Sequence, residues 1–267
     1  MFFKTKNVSI IVEAVDNSKW NFLDGNHIRK SFQVNIDTKK PIANVISNSL
    51  AIRKGGSAVV VVEVRDENLK DAYISFNKEK RFELTPFYKE GYFVSLIAWP
   101  VFIKNFNRVS LIVEDKANNI SKTKVPLFIR ELKIKNDDIK ISEKFIKNVS
   151  ASVLEQSAQS VPDNTADIFI KENRELRAKN IEALQTITTK LMSKDKINNF
   201  NIKPFRRLRG SRTAAGYAER RHYFHNEEKI DEAWHLGLDW ASVKTAPIRT
   251  TNSGKVIFNE YLGIYGN

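Results

Sequence analysis

The stretch Val59-Val60-Val61-Val62-Glu63-Val64 is rich in β-branched residues, which favour strands because they pack well on a pleated surface. Two runs of similar character lie around Phe93 to Trp99 and Val109 to Val113. Turn-forming residues separate these runs: Lys54-Gly55-Gly56-Ser57, Asp66-Glu67-Asn68 and Lys89-Glu90-Gly91. Short strands at this spacing predict an antiparallel β-sandwich.

A repeated segment indicates more than one such domain. Val8-Ser9-Ile10-Ile11-Val12-Glu13 matches Val109-Ser110-Leu111-Ile112-Val113-Glu114, 101 residues later, and a sandwich domain has about that length. The junction Asp37-Thr38-Lys39-Lys40-Pro41 resembles the Asp-Thr-x-x-Pro that opens bacterial Ig-like repeats. We therefore expect residues 1–38 to be the C-terminal remnant of one Ig-like domain and residues 39–131 to form a complete one. On this interpretation Met1 begins inside a domain whose upstream strands are absent.

From about residue 141 the periodicity becomes helical. Ile146, Val149 and Val153 recur at steps of three and four residues, as on one helix face. Val161-Pro162-Asp163 interrupts this helix, and Asp163 can cap a second one. The apolar stripe of the second helix ends near Met192 and consists of Phe169, Leu176, Leu184, Ile187 and Leu191. Such a stripe packs into a core or binds a partner helix; we expect residues 132–200 to be a helical linker region that acts as a spacer.

The net charge of the chain indicates which kinds of partner it could bind. The 267 residues include 44 Lys and Arg against 31 Asp and Glu, which gives +13. That favours a polyanion such as nucleic acid, anionic lipid or an acidic cell-wall polymer, although a lysine-rich surface gives the same number without a partner. The sequence has no cysteine, which excludes disulfides and thiolate metal sites.

The ends and hydropathy of the chain bear on its location. No run reaches the roughly 18 apolar residues of a transmembrane helix. Met1-Phe2-Phe3-Lys4 lacks the basic and apolar regions of a signal peptide. We expect either a cytosolic protein or a missing N-terminus. The repeat favours the second, and the missing segment could anchor the protein to a membrane.

One pair of residues has the chemistry of metal ligands. His235-Leu236-Gly237-Leu238-Asp239 places an imidazole and a carboxylate four residues apart, and both groups bind zinc at about 2.0–2.2 Å. In a straight strand residues at this spacing would be about 13 Å apart, too far to share an ion. The chain must therefore bend, and Gly237 is the residue best able to bend it.

The neighbouring segments give this pair a context. Upstream lies Tyr217-Ala218-Glu219-Arg220; downstream lie Thr245-Ala246-Pro247-Ile248, Gly254-Lys255-Val256 and Tyr265-Gly266-Asn267. Over about residues 205–267 this order resembles the lysostaphin-type (LytM-like) zinc metallopeptidases. Two departures are that Ala218 stands where glycine is usual and that Ala246 is inserted within the Thr-Pro pair. We expect residues 201–267 to be the N-terminal part of such a domain, and the fold to be mainly β: an Ig-like sandwich, then helices, then an incomplete antiparallel β-sheet peptidase core.

The resemblance implies a zinc-dependent endopeptidase that cleaves peptidoglycan cross-link peptides in the periplasmic cell envelope. His235 and Asp239 would be the first two zinc ligands. The third ligand, from a His-x-His motif, and the catalytic histidine are expected beyond Asn267, so this chain should be inactive alone. Arg220, Arg221 and Tyr223 occupy the stretch that lines the family's substrate groove, where they would contact substrate or simply be surface residues.

Other interpretations of the histidines, the basic run and the function stay open. His222 and His225 could chelate a metal, although we expect them in a solvated loop, and His27 lies far along the chain in the predicted sandwich. The run Arg206-Arg207-Leu208-Arg209 is either a solvated face or a patch for an anionic polymer. Only Phe205 interleaves it, so we expect no nucleic-acid partner. The alternative function is a non-catalytic envelope scaffold or adhesion protein with a degenerate peptidase domain.

Overall fold

The structure, a computed structural model, describes residues 6–20, 22, 25–191, 195–199 and 201–267. It opens with a long antiparallel hairpin of β1 (Lys6–Val15) and β2 (His27–Ile36). Two features used above, the start at Met1 and the predicted helix end at Met192, lie outside the described residues.

A β-sandwich follows, as the valine run predicts. Its strands are β3 (Ile42–Asn48), β4 (Ala51–Arg53), β5 (Ser57–Arg65), β6 (Leu69–Phe76), β7 (Lys80–Glu83), β8 (Thr85–Pro86), β9 (Tyr92–Ala98), β10 (Val109–Asp115), β11 (Ile120–Lys124) and β12 (Phe128–Arg130). One sheet has the order β3-β5-β9-β8 and the other β11-β10-β6-β7. All neighbours within these two sheets are antiparallel, whereas β12 and β4 form a parallel pair. The expected mainly β class is confirmed.

Strand β5 shows how the sequence specifies the sandwich core. Ala58, Val60, Val62 and Val64 are buried, whereas the residues between them are only half-buried. Alternate side chains of a strand point to opposite faces, so every second residue of the valine run enters the core. Trp99 is fully buried there, and its indole Nε1 donates a hydrogen bond to the Ile103 carbonyl at 3.1 Å.

An aspartate–asparagine clamp closes the last hairpin of the sandwich. The Asp115 carboxylate accepts hydrogen bonds from the backbone N–H and the side-chain amide of Asn119, both at 2.8 Å. The Asp115 N–H in turn donates to the Asn119 carbonyl at 3.2 Å. Burial raises the pKa of Asp115, but the hydrogen bonds from Asn119 outweigh it and the net pKa is lowered.

The first hairpin repeats this clamp. Asp16 Oδ1 accepts from the Asn26 N–H at 2.8 Å, Oδ2 accepts from the Asn26 side-chain amide at 2.7 Å, and the Asp16 N–H donates to the Asn26 carbonyl at 3.0 Å. Hydrogen bonds from Asn26 and Ser18 lower the pKa of Asp16. The likeness found in the sequence therefore extends to the bonds that end both hairpins.

The two hairpins differ in what covers them. Directly paired residues of β1 and β2 share a face, and one face of this hairpin is largely apolar. Its side chains are 39–53% exposed: Ile10, Val12, Ile28, Phe32, Val34 and Ile36. In the repeat, Leu111 and Val113 stand at the positions of Ile10 and Val12, and both are fully buried in the sandwich. The same pattern is thus packed in one copy and open in the other.

A second unit contains helices and two small sheets. Its elements are β13 (Asn136–Lys140), α1 (Glu143–Phe145), α2 (Ala151–Gln156), α3 (Thr165–Ile170), α4 (Arg177–Leu191), β14 (Arg212–Ala215), β15 (Glu219–His225), β16 (Glu228–His235), β17 (Asp239–Ala241) and a 3₁₀ turn (Gly263–Tyr265). π-Helical turns, Ile146–Ser150 and Lys171–Leu176, join α1 to α2 and α3 to α4. The sheets are β13-β15-β16 and β14-β17, and β13 runs parallel to β15.

Residues 132–200 are not the spacer that we expected. Strand β13 joins the sheet of β15, and Ile146, Leu154 and Phe169 from the helices share one core with Tyr223 of β15. The reason is that the helix stripes and this sheet each have one apolar face, and each covers the other. The domain boundaries themselves stay a prediction.

Two details of the helices also differ from expectation. The buried residues of the first helix are Ile146, Ser150 and Leu154, whereas Val149 is exposed. The π-helical turn between them winds more widely than an α-helix, so the apolar face shifts from the predicted three- and four-residue spacing. The second helix is capped by Asn164, whose Oδ1 accepts from the Ala166 N–H at 2.9 Å, and not by Asp163.

Close contacts connect the second unit to the sandwich. Gly55 has φ +76°, and a Cβ there would lie 2.8 Å from the Tyr217 ring, so both its conformation and its surroundings favour glycine. Ile197 forms a β-bridge with Phe87, and its N–H donates to the Pro86 carbonyl at 2.9 Å.

The last residues pack on the helices without forming strands. The Ile264 N–H donates to Asn180 Oδ1 of α4 at 3.1 Å. No strand follows β17 in the described residues, and Ile248 and Val256 are exposed. In the described part of the chain, no helix is long and apolar enough to cross a membrane.

The Asp115–Asn119 clamp of the sandwich should contribute more to stability than the Asp16–Asn26 clamp of the first hairpin. Asp115→Ala should lower the free energy of unfolding by about 2–3 kcal/mol, because it leaves the Asn119 donors without their buried acceptor. Urea denaturation at neutral pH measures this. Asp16→Ala is the matched control, and we expect a smaller change because its clamp is exposed to water. Equal changes for the two variants would contradict a role for burial.

Candidate metal-binding site

The site is built on the hairpin of β15 and β16. Asn226 and Glu227 connect the strands, and their φ angles of 50° and 65° are those of a two-residue turn that matches the strand twist. Along β15, Glu219 and Tyr223 are buried, and they share a face with Arg221 because alternate residues point the same way. That face is turned toward the helices, where the Tyr223 ring packs on Phe169 with centroids 5.0 Å apart.

His235 and Asp239 come together at the end of β16. The chain bends at Gly237 between β16 and β17, as predicted. His235 Nε2 lies 3.1 Å from Asp239 Oδ1, and His235 Nδ1 lies 2.7 Å from the Gly216 carbonyl. The His235 side chain is 13% exposed and the Asp239 side chain 53%. The pair therefore sits at a solvent-accessible edge with the imidazole held from behind.

The partners of His235 orient its ring. The Gly216 carbonyl can only accept, so Nδ1 donates to it. This leaves Nε2 facing Asp239 Oδ1. Donation from Nδ1 to a carbonyl is a common way to orient a histidine whose Nε2 binds a metal.

A second layer of hydrogen bonds fixes Gly216. Its N–H donates to Glu219 Oε1 at 2.9 Å, while Lys135 Nζ donates to the same oxygen at 3.3 Å. The hydrogen bond from Gly216 and the neighbouring Lys135 lower the pKa of Glu219, although burial alone would raise it. Ala218 has φ +64° and donates its N–H to the His235 carbonyl at 2.8 Å. The left-handed backbone explains why glycine would suit this position.

The three predicted substrate-contacting residues are divided between the two faces of β15. Arg221 Nη2 lies 3.6 Å from Asp239 Oδ2, and Tyr223 is buried against the helices. Arg220 is exposed and pairs with Glu232 at 2.8 Å. Hydrogen bonds from Lys229 and Arg220 lower the pKa of Glu232 to about 2. The structure thus brings Arg221 and Tyr223 to one side and leaves Arg220 on the other.

The remaining histidines have other partners. His222 and His225 lie on strand β15 and not in a loop as expected, because the hairpin register includes both. His222 Nδ1 lies 3.0 Å from Asp138 Oδ1, and His225 Nδ1 lies 3.0 Å from the Ile141 carbonyl. His27 lies 3.9 Å from Glu13 in the first hairpin. The basic run at residues 206–209 is largely exposed and has no regular secondary structure up to its last residue.

A complete zinc centre is not present in the described residues. They contain no group of three or more His, Asp or Glu side chains that could hold an ion. A catalytic zinc has three protein ligands and an open position for water. His235 and Asp239 fit as two of these, so a third would have to come from elsewhere, and no hydrolytic step follows from the residues at hand.

One buried polar contact was missed by the sequence analysis. The Asp231 carboxylate of β16 is almost fully buried and accepts from Asn173 Nδ2 at 2.7 Å and Arg174 Nε at 2.6 Å. Both donors lie on the π-helical turn Lys171–Leu176. The available signal was the carboxylate of Asp231 at a strand position that faces the core. Buried charges need partners, so such a position predicts a polar contact.

Comparisons with known proteins give little more. No family model matches the chain, and no curated protein matches it either. Among solved structures, the titin domains Z1Z2 in complex with telethonin are 9% identical with a TM-score of 0.25, covering 40% of this chain and 59% of that one. Domains 4 and 5 of the S-layer protein SbsC are also 9% identical, with a TM-score of 0.22, covering 47% of this chain and 77% of that one. Neither likeness carries an argument about function.

Glu219 should make the stability of the hairpin depend on pH. Because its pKa is lower in the folded state than the ordinary value of 4.5, its stabilising contribution is present above that value and is lost as the pH falls below it. Urea midpoints measured from about pH 6 to 3 should therefore fall more steeply for the wild type than for Glu219→Gln. Glu228→Gln, an exposed change on β16, is the control and should follow the wild type. Parallel curves for the wild type and Glu219→Gln would contradict the assignment.

Proposed function

We propose that residues 201–267 carry two ligands of the metal centre of a lysostaphin-type zinc peptidase, whose substrate would be peptidoglycan cross-link peptides in the bacterial cell envelope. The supporting observation is the separation of His235 Nε2 and Asp239 Oδ1, which is 3.1 Å. Two atoms bound to one zinc at about 2.0 Å and at a tetrahedral angle are about 3.3 Å apart. The pair thus needs little movement to share an ion.

The surroundings of the pair also suit a metal ligand. The Gly216 carbonyl orients the imidazole, and Arg221 Nη2 stands 3.6 Å from the far oxygen of Asp239. Such outer contacts set ring orientation and ligand geometry at metal sites. A bound zinc would polarise a scissile carbonyl and activate water. The chain's own residues here hold and orient the ligands, whereas Arg220 lies on the opposite face of β15 and pairs with Glu232 at 2.8 Å.

A non-catalytic envelope scaffold or adhesion protein is the second candidate. It is favoured by the ligand count, since the described residues bring two donors together and not three. It is also favoured by the exposed apolar face of the first hairpin, because large exposed apolar patches mark interaction sites. In this function the His235–Asp239 pair would stabilise the bend without performing chemistry.

Zinc titration tests the first proposal. Isothermal titration calorimetry should detect weak zinc binding, because the described part of the chain brings two ligands together and not three, and His235→Ala and Asp239→Ala should each weaken it at least about tenfold. His222→Ala is the matched control because it removes another His–Asp contact on the same hairpin. Zinc binding that is unchanged in His235→Ala would sink the proposal.

A peptidoglycan assay separates the two candidates. Purified peptidoglycan is incubated with the complete gene product and zinc, and the release of new amino groups and sedimentation with the polymer are both followed. Release that His235→Ala abolishes supports the peptidase. Sedimentation without release, equal in the wild type and the variant, supports the scaffold.

A further inference from the structure

A large unbalanced positive charge lies on two segments, residues 203–212 and 241–252, which we call the basic lobe. They contain no Asp or Glu and seven cations, all of them exposed: Lys203, Arg206, Arg207, Arg209, Arg212, Lys244 and Arg249. The nearest carboxylate along the chain, Asp239, already faces Arg221 at 3.6 Å. The lobe therefore carries seven positive charges out of a net charge of +13 for the whole chain.

Hydrogen bonds tie the two segments of the basic lobe together at both ends. At one end the Lys203 N–H donates to Asn252 Oδ1 at 2.9 Å, and Asn252 Nδ2 donates to the Lys203 carbonyl at 3.0 Å. At the other end Arg212 of β14 is paired with Ala241 of β17, and these strands are antiparallel. The two segments therefore run in opposite directions between these ties, and their cations belong to one region of the surface.

The basic lobe also exposes three large apolar side chains. Phe205 and Val243 are both 78% exposed, and Ile248 is 87% exposed, so each makes little contact with the rest of the protein. Each directly precedes a cation along the chain, in the pairs Phe205-Arg206, Val243-Lys244 and Ile248-Arg249. The same short stretches thus present both positive charge and apolar surface to whatever meets them.

This combination fits the surface of an anionic bilayer better than a soluble polyanion. At a bilayer surface, anionic headgroups attract Lys and Arg, and apolar side chains are buried at the boundary of the acyl chains. A single-stranded nucleic acid would stack its bases on aromatic rings, and Val243 and Ile248 have none. An acidic polymer in water would use the cations but would leave the three apolar side chains in water. Their exposure therefore favours lipid as the partner.

We propose that the basic lobe docks the protein on a membrane surface that contains anionic phospholipid. The seven cations lie against the headgroup phosphates, while Phe205, Val243 and Ile248 enter the interface below them. This docking goes beyond the metal-binding proposal and does not depend on it. Asp239 begins β17, two residues before the lobe resumes at Ala241, so docking holds the His235–Asp239 pair next to the membrane-bound segments.

Co-sedimentation of the whole chain with lipid vesicles tests the proposal. Vesicles of phosphatidylcholine and phosphatidylglycerol should bind the wild type, and vesicles of phosphatidylcholine alone should bind it at least about tenfold more weakly. Added salt should weaken the binding to the anionic vesicles, because it screens the charges. No binding to the anionic vesicles at low salt, or equal binding to both kinds, would overturn the proposal.

Charge variants locate the docking surface. One cation near an anionic membrane strengthens binding about fivefold, so the triple variant Arg206→Gln, Arg209→Gln and Arg249→Gln should bind the anionic vesicles at least about tenfold more weakly. The control removes the same charge from exposed lysines of the sandwich: Lys116→Gln, Lys122→Gln and Lys124→Gln. It should bind nearly as the wild type does. Equal losses in the two triple variants would mean that net charge alone acts, and the proposal would be wrong.

Apolar variants test the entry into the interface. Phe205→Ser combined with Ile248→Ser should leave the melting temperature unchanged, because both side chains are exposed. It should weaken binding to the anionic vesicles at least about tenfold, since burial of these side chains is lost. The control is Leu50→Ser combined with Phe128→Ser, which are 70% and 69% exposed on the sandwich and should not affect binding. Wild-type binding by the first pair would refute the entry of these side chains.

Two soluble polyanions, double-stranded DNA and poly(glycerol phosphate), test the alternatives. The wild type should bind both more weakly than the anionic vesicles, and the change at Phe205 and Ile248 should leave that binding unaltered. Tighter binding to either polymer than to the vesicles would assign the basic lobe to a soluble polyanion and contradict membrane docking. His235→Ala should bind the vesicles normally, which separates this result from the outcome of the zinc titration.

Discussion

The buried Asp231 carboxylate is the interaction on which the second unit depends. It accepts hydrogen bonds from Asn173 and Arg174, two consecutive residues of a π-helical turn. Consecutive residues are rotated by about 100° in an α-helix and by less in the wider π turn, so they more nearly share a face. One carboxylate can then bind both, and the helix is held against the hairpin in one orientation. That orientation brings the Phe169 ring onto Tyr223, with centroids 5.0 Å apart.

The sandwich could be predicted from the sequence because its signal is local. The alternation of Ala58, Val60, Val62 and Val64 needs only the two-residue period of a strand to specify a buried face. The helix faces were less predictable, because a π-helical turn changes the period of the buried residues. No residue between Ile146 and Ser150 indicates that such a turn is present. Strand β13 was missed since its residues, Asn136-Asp137-Asp138-Ile139-Lys140, are mostly polar, and it exists by pairing with β15 some 80 residues later.

The candidate site also has a part that could be predicted from the sequence and a part that could not. His235 and Asp239 were found from their spacing, and the need for a bend followed from strand geometry alone. The groups that support them are the Gly216 carbonyl, in the turn before β15, and Glu219, the first residue of β15. Both are brought close only by the hairpin register. A cavity that Ile139, Phe169 and Tyr223 help to line could not be seen in the sequence, because its wall combines strands, helical turns and a loop that are far apart along the chain.

The paired clamps have a consequence for how the sandwich can vary. Asp115 and Asn119 enclose three residues, 116–118, whereas Asp16 and Asn26 enclose nine, 17–25, yet the hydrogen bonds that end both hairpins are the same. The clamp therefore keeps the strand register unchanged when the length of the loop changes. Tripling the loop costs only about 1 kcal/mol of closure entropy. The segment between the clamp residues is thus a natural place for insertions to accumulate in evolution, or for a foreign peptide to be displayed, without disturbing the strands beneath.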